Sequence, residues 1–184
     1  MFENTCWFAE YCRETGDREF HLLHFITSYI FRHRFRYVVY LRKAQNARSK
    51  MTGLYYKFKL YRLSRKYGIE INAETKIGKG FLMIHPYNIT ISSLAELGDN
   101  VTMLKGATVG VSGGKRAGAH KIVNSVYIGI NSTVCGGISI GDDVLIAPNT
   151  FVNEDVPSHS IVVGNPCKII HKENATAPYI HNKV

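Results

Sequence analysis

The sequence predicts a mainly β fold: a parallel β-helix of stacked triangular coils, preceded by a short α-helical region. Three observations carry this. From residue 71 an aliphatic side chain returns every six positions. Glycine and aromatic residues are segregated, with 13 of 16 glycines between Gly78 and Gly164 and 16 of 21 aromatics before residue 69, so two regions of different physics share the chain. Residues 20–52 contain neither Gly nor Pro, which suits helix. With 184 residues, 45% hydrophobic and 20% charged, the chain is long and apolar enough to bury one core and is not a disordered polymer.

Residues 1–68 form the first region. They hold 14 Lys+Arg against 5 Asp+Glu, whereas residues 69–184 hold 9 of each, so the whole net charge of +9 lies in the front third. No acidic residue occurs from Phe20 to Gly68. One or two helices are expected, with Gly53 as punctuation. Leu23, Ile26, Ile30 and Val38 would face a partner, and Arg32, Arg34, Arg36, Arg42 and Lys43 would form an opposing basic face. Four partners fit such a segment: the end of the solenoid itself, which needs a cap; an anionic membrane surface; an acidic glycan; or nucleic acid. The last is set aside, because charge without a recognised nucleic-acid module is not enough.

Residues 69–170 form the second region. The aliphatic series reads Ile71, Ile77, Met83, Ile89, then Leu97, Met103, Val109, then Ile122, Ile128, Val134, Ile140, Ile146, Val152. A two-residue insertion is expected between Ile89 and Leu97, and a larger extruded loop at about 110–121. A period of six fits neither a helix nor a plain strand. It fits a short strand and a corner, repeated, with the aliphatic residue filling the interior. Three such units close a triangular coil, and coils stack at the strand spacing of about 4.8 Å. Residues 171–184 read as a short mobile tail.

The stretches GIEINAETKIGKGFLMIHPYNITIS, VTMLKGATVG, VYIGINSTVCGGISIGDDVLIAPNTFV and DVPSHSIVVGNPCKII resemble the hexapeptide-repeat acyltransferases, and among them the serine acetyltransferases and small sugar and polysaccharide O-acetyltransferases. The resemblance implies a left-handed coil, a homotrimer, and acetyl-CoA as co-substrate laid in the crevice between subunits. The acceptor it implies is a sugar or polysaccharide hydroxyl, or serine, as in the serine O-acetyltransferases of cysteine biosynthesis. A non-catalytic trimeric scaffold with the same fold is the alternative.

Transfer of an acetyl group to a hydroxyl needs a base that titrates near neutral pH, which favours histidine. His85, in Met-Ile-His-Pro, lies off the inward ladder and matches the family's catalytic base. Glu70, 15 residues earlier, stacks near it on the neighbouring coil, where a carboxylate can orient the imidazole. His120, at the end of the extruded loop, matches a second active-site histidine if counted forward from Gly110 and misses it by one residue if counted back from Ile122. By position, Gly129, Ala147 and Lys168 match contacts to CoA, Lys168 to a phosphate. The Gly-rich loop with Lys115 and Arg116 is a further candidate for the pantetheine arm or a phosphate. One departure stands out. Serine acetyltransferases carry an Asp immediately before the catalytic histidine, where this chain has Ile84, and an aliphatic side chain cannot pair with the ammonium group of serine.

A metal is not expected. The zinc branch of this fold needs three imidazoles, two of them about five residues apart, and around His120 those places hold Lys115 and Ser125. Four scattered cysteines make neither a zinc set nor a disulfide framework. The acidic start lacks the form of a secretory signal, and no apolar run is long enough to span a bilayer. The expected location is cytoplasmic, with the basic front offering peripheral attachment to the inner membrane face.

Overall fold

The structure is a computed structural model that describes residues 7–111, 118 and 120–184. Four helices come first: α1 (Phe8–Thr15), α2 (Leu22–Phe31), α3 (His33–Gln45) and α4 (Lys50–Tyr67). Three of them, α2, α3 and α4, lie within residues 20–68, one more than the one or two expected there. Gly53 does not punctuate them but lies inside α4. The breaks come instead at Arg32, whose backbone is extended, and before Ser49, whose side chain accepts from the Thr52 N–H and caps α4. Gly16 and Gly68 end α1 and α4 in the left-handed conformation.

The repeat then winds into three parallel sheets. Sheet A stacks β1 (Glu70–Ile71), β4 (Thr90–Ile91), β7 (Thr108–Gly110), β10 (Thr133–Cys135) and β13 (Phe151–Val152). Sheet B stacks β2 (Lys76–Ile77), β5 (Glu96–Leu97), β8 (Lys121–Ile122) and β11 (Ser139–Ile140). Sheet C stacks β3 (Leu82–Ile84), β6 (Thr102–Leu104), β9 (Tyr127–Ile128), β12 (Val144–Ile146) and β14 (Ser160–Val163), with β15 (Lys168–His171) added antiparallel at its far edge. Every third strand pairs, as a triangular coil requires, and the inward ladder is almost wholly buried.

The register corrects one expectation. Ile71 pairs with Ile91, not Ile89, so the two extra residues lie between Met83 and Ile91, at the His85 corner. Both isoleucines are buried, and Ile89 fills the second interior position of its unit. Two of the three corners turn through the left-handed region at every level. One column is Gly80, Asn100, Ser125, Asp143 and His159; the other is Gly68, Asn88, Gly106, Asn131 and Asn149. Small amide and acid side chains tolerate this conformation where other residues are strained.

The helices cap the first coil. From α3, Val38 and Leu41 join the β-helix core, while Phe35 and Val39 pack with Trp7 and Tyr11 of the N-terminal segment. One front residue, Arg42, is thus not where the sequence suggested. Val38 faces the solenoid end, one of the partners expected, whereas Arg42 is buried rather than on a basic face, with its guanidinium on the Glu10 carboxylate at 2.7 Å and on the Ile77 carbonyl at 2.6 Å. Arg32 and Arg34 both pair with Glu14. Leu23, Ile26 and Ile30 are exposed.

The expected mobile tail is instead docked. From β15 it runs back across the outer side of sheet C toward the first coil. Asp143 receives the Ala175 and Thr176 amides, Tyr179 packs on Tyr127, Ile180 is buried, and Val184 exchanges two hydrogen bonds with Asn100. Arg13 of α1 joins this seam, donating to the carbonyls of Gly80 and His181 and to the Thr102 hydroxyl. Burial pulls its pKa down to about 10. Among the described residues no helix is long and apolar enough to cross a membrane.

Candidate active site

His85 follows β3 at the corner between sheets C and A. It follows the outward-facing end of that strand, in line with Lys105 of the next coil, and is exposed. Its backbone is left-handed, with φ of 50°. Among the described residues of the repeat it is the one non-glycine residue in that conformation outside the two corner columns. A backbone held in a sparsely populated region costs on the order of 1–3 kcal/mol and marks positions where the direction of a side chain matters. The Tyr87 N–H donates to the His85 carbonyl at 2.8 Å and tightens the turn.

Glu70 opens β1 on the other side of the same corner, one coil down. Its N–H donates to the Ile89 carbonyl at 2.7 Å, and the Asn88 N–H donates to the Tyr67 carbonyl at 3.0 Å, so residues 67–70 stack on residues 87–90. Glu70 and His85 therefore share a corner on adjacent levels, both exposed; no hydrogen bond joins their side chains. Beside them lies an aromatic group that the sequence did not reveal. His33 stacks on Tyr67 at 4.3 Å, and Tyr87 meets Tyr67 edge-on at 5.6 Å. Burial, and then Arg36, Arg34 and Lys66, hold the His33 pKa below its usual value. The only sequence cue was Tyr87 following the His-Pro pair.

The three candidate CoA contacts fall on one line. Ile128, Ile146 and Val162 are paired, which puts Gly129, Ala147 and Val163 one above another at the exit edge of sheet C, and Val163 pairs with Lys168. At the bottom of the same edge, Ile84 pairs with Leu104, and His85 follows. The edge runs from His85 to Lys168 across five strand steps, about 24 Å. Gly129 has a packing reason of its own, because a Cβ there would meet the Ile146 carbonyl oxygen at 2.7 Å. Ala147 is half-buried and Lys168 exposed.

His120 lies elsewhere. It precedes β8, at the corner between sheets A and B, so the width of sheet A separates it from His85 within one protomer. It is fully buried, and neither ring nitrogen makes a hydrogen bond. Burial pushes its pKa down; the Gly110 backbone works the other way, although its geometry to the ring falls short of a hydrogen bond. Lys115 and Arg116 lie outside the described residues. Between the two corners, the face of sheet A and α4 enclose a groove of about 840 Å³, lined by Glu70, Thr90, Gly110, Ser64 and Arg65 among others. The contribution of α4 to this groove had no signal in the sequence. Among the described residues no three His, Cys, Asp or Glu side chains are grouped to hold a metal ion.

No family model matches the chain. It is 39% identical over 110 residues to serine acetyltransferase 2 of Arabidopsis thaliana, covering 59% of this chain and 34% of that protein. It is 38% identical over 107 residues to the serine acetyltransferase of Helicobacter pylori, covering 58% of this chain and 63% of the relative. The chain thus spans less than two thirds of the length of these relatives. Among solved structures, the serine acetyltransferase of Brucella abortus superimposes with a TM-score of 0.73 at 25% identity, covering 95% of this chain and 69% of that one. A serine acetyltransferase in complex with CoA gives 0.72 at 20% identity, covering 92% and 70%. The chain has the serine acetyltransferase fold. Its coil is therefore the left-handed hexapeptide β-helix of the serine acetyltransferases. The structural match extends into the helical region, whereas the sequence matches to these relatives cover less than two thirds of the chain.

Proposed function

We propose that this chain is an acetyl-CoA-dependent O-acetyltransferase whose general base is His85. The observation that carries the reading is the left-handed backbone of His85 on a corner widened by two residues, at the foot of the edge that carries Gly129, Ala147 and Lys168. His85 takes the proton from the acceptor hydroxyl. The resulting alkoxide attacks the thioester carbonyl, the carbon–sulfur bond breaks, and the CoA thiolate leaves, taking the proton back from the His85 imidazolium. Glu70 acts on the imidazolium after a side-chain rotation, stabilising its charge. Gly129 and Ala147 present backbone to the pantetheine arm, and Lys168 meets a phosphate as a point charge. His120 serves from the far corner of sheet A, which reaches a second site only if subunits of a cytoplasmic homotrimer pair these corners.

For the acceptor we favour an uncharged sugar or glycan hydroxyl. Ile84 offers no charge to an amine, and the His33–Tyr67–Tyr87 ring group beside His85 offers apolar faces on which a pyranose can stack. Serine is the second reading, supported by the names of the relatives. The experiment is thiol release from acetyl-CoA, followed with serine and with a panel of sugars, with His85→Ala as control. The variant is expected to lose about 10²–10⁴ in turnover while still binding CoA. Near-normal turnover removes His85 from the mechanism. Release driven by serine and not by sugars decides for the second reading. Absence of CoA binding by the wild type at micromolar levels leaves the scaffold alternative.

A further inference from the structure

Helix α4 carries two apolar stripes. Tyr56, Leu60, Leu63 and Tyr67 face the core, Leu60 fully buried and the others packed against it. Met51, Leu54, Tyr55, Phe58 and Tyr61 are each more than half exposed. At about 100° per residue the second stripe lies on the side of the helix opposite the first. The helix has six Lys and Arg and no acidic residue. Lys50 and Lys57 border the exposed stripe on one side, Lys59, Arg62 and Lys66 on the other, and Arg65 ends it. Arg62, Arg65 and Lys66 pair with no carboxylate among the described residues. Helix α2 adds Leu22, Leu23, Ile26, Ile30 and Phe31, all exposed, on a helix with no Lys, Arg, Asp or Glu.

We propose that α4, together with α2 of the same front region, docks the protein on an anionic lipid surface. An exposed apolar stripe framed by cations is what such a surface recognises: the side chains enter the headgroup boundary while the cations meet anionic headgroups. A second copy of the chain is a poorer occupant, because residues 20–68 hold twelve Lys and Arg and no Asp or Glu, so apposed front regions repel. Nucleic acid matches the charge but leaves Met51, Leu54 and Phe58 without apolar cover. The surface is independent of His85 and of the identity of the acceptor.

The test is co-sedimentation of the full chain with vesicles of phosphatidylcholine alone or mixed with phosphatidylglycerol. The protein is expected to pellet with the mixed vesicles and not with the neutral ones. Partition should fall at least about tenfold as salt rises from about 0.1 M to about 0.5 M. The double variant Leu54→Ser, Phe58→Ser should bind the mixed vesicles at least about tenfold less, with the same thermal transition as the wild type. The proposal is overturned if the wild type does not pellet with anionic vesicles at low salt. Equal partition of the double variant overturns it as well. So does a drop in solution mass on making that variant, which would assign the stripe to contacts between copies.

Discussion

Asp143 shows how much a single corner residue carries. It turns the coil with a φ of 55°, receives the amides of Ala175 and Thr176 and the Thr176 hydroxyl, and pairs with His159 at 3.0 Å. Partial burial alone would raise its pKa, but the hydrogen bonds from Thr176, His159 and Ala175 overcome it and hold the carboxyl down to about 2. The sign follows. A depressed carboxyl contributes stability above its unfolded value of about 4, and that stability is lost as pH falls toward 2. His159 is shifted the other way, raised first by its bond to Asp143, so its share is present below about 6.5 and is lost as pH rises through its folded value. The network is thus strongest from about pH 4 to about pH 6.5. Asp143→Ala should cost about 1–3 kcal/mol in urea denaturation near pH 6. The gap from wild type should narrow toward pH 2; a gap that does not change with pH would show that the carboxylate charge is not what matters. At this scale the sequence was partly legible. The His-Pro motif singled out His85, and the 15-residue spacing put Glu70 near it. The partner of Asp143 lies 33 residues away in a segment whose composition gives no sign of burial.

The elements are joined by buried charge as well as by apolar contact. Arg42 of α3 bonds Glu10 of α1 and the carbonyls of Ile77 and Gly78 in the first coil, so one guanidinium ties two helices to the solenoid. Both side chains are nearly buried, at 9% and 2% exposure, so removing one partner leaves the other desolvated and unpaired. Glu10→Ala should therefore destabilise by about 3–5 kcal/mol, read as a shift in the urea midpoint. A loss within about 0.5 kcal/mol would mean that the backbone carbonyls alone satisfy Arg42. From sequence, Arg42 looked like one of five surface cations, because a helix three sides of which are covered shows no clear polar face. The exposed stripe of α4 was hidden for the same reason: an apolar residue on nearly every turn of both faces blurs any single period.

At the scale of the molecule the ladder was legible because each level of the coil needs an aliphatic side chain at the same place, and thirteen such places repeat the demand. Its one error came where two buried isoleucines, Ile89 and Ile91, stand two apart and either could be the rung. Gly129, Ala147 and Lys168 were named from position alone, but that they share one edge could be read only from the stacking of Ile128, Ile146 and Val162. The 171–184 segment escaped because its buried residues, Ala175, Thr176 and Ile180, are few and set among charges.

That segment changes how the whole chain should come apart. A solenoid held only by contacts between neighbouring coils is a one-dimensional lattice, and it frays from either end in steps. Here the far coils are fastened to the second coil through Asp143, Tyr179, Ile180 and Val184, and through Arg13 to Gly80 of the first coil and to the helices as well. Fraying at one end must release the other, so partial unfolding gains little chain entropy for the contacts it breaks. The full chain should unfold in a single transition by fluorescence and by circular dichroism. Removing residues 174–184 should lower its midpoint and split it, with the terminal coils opening before the centre. Coincident transitions in the shortened chain would mean that neighbour contacts alone make the coils cooperative.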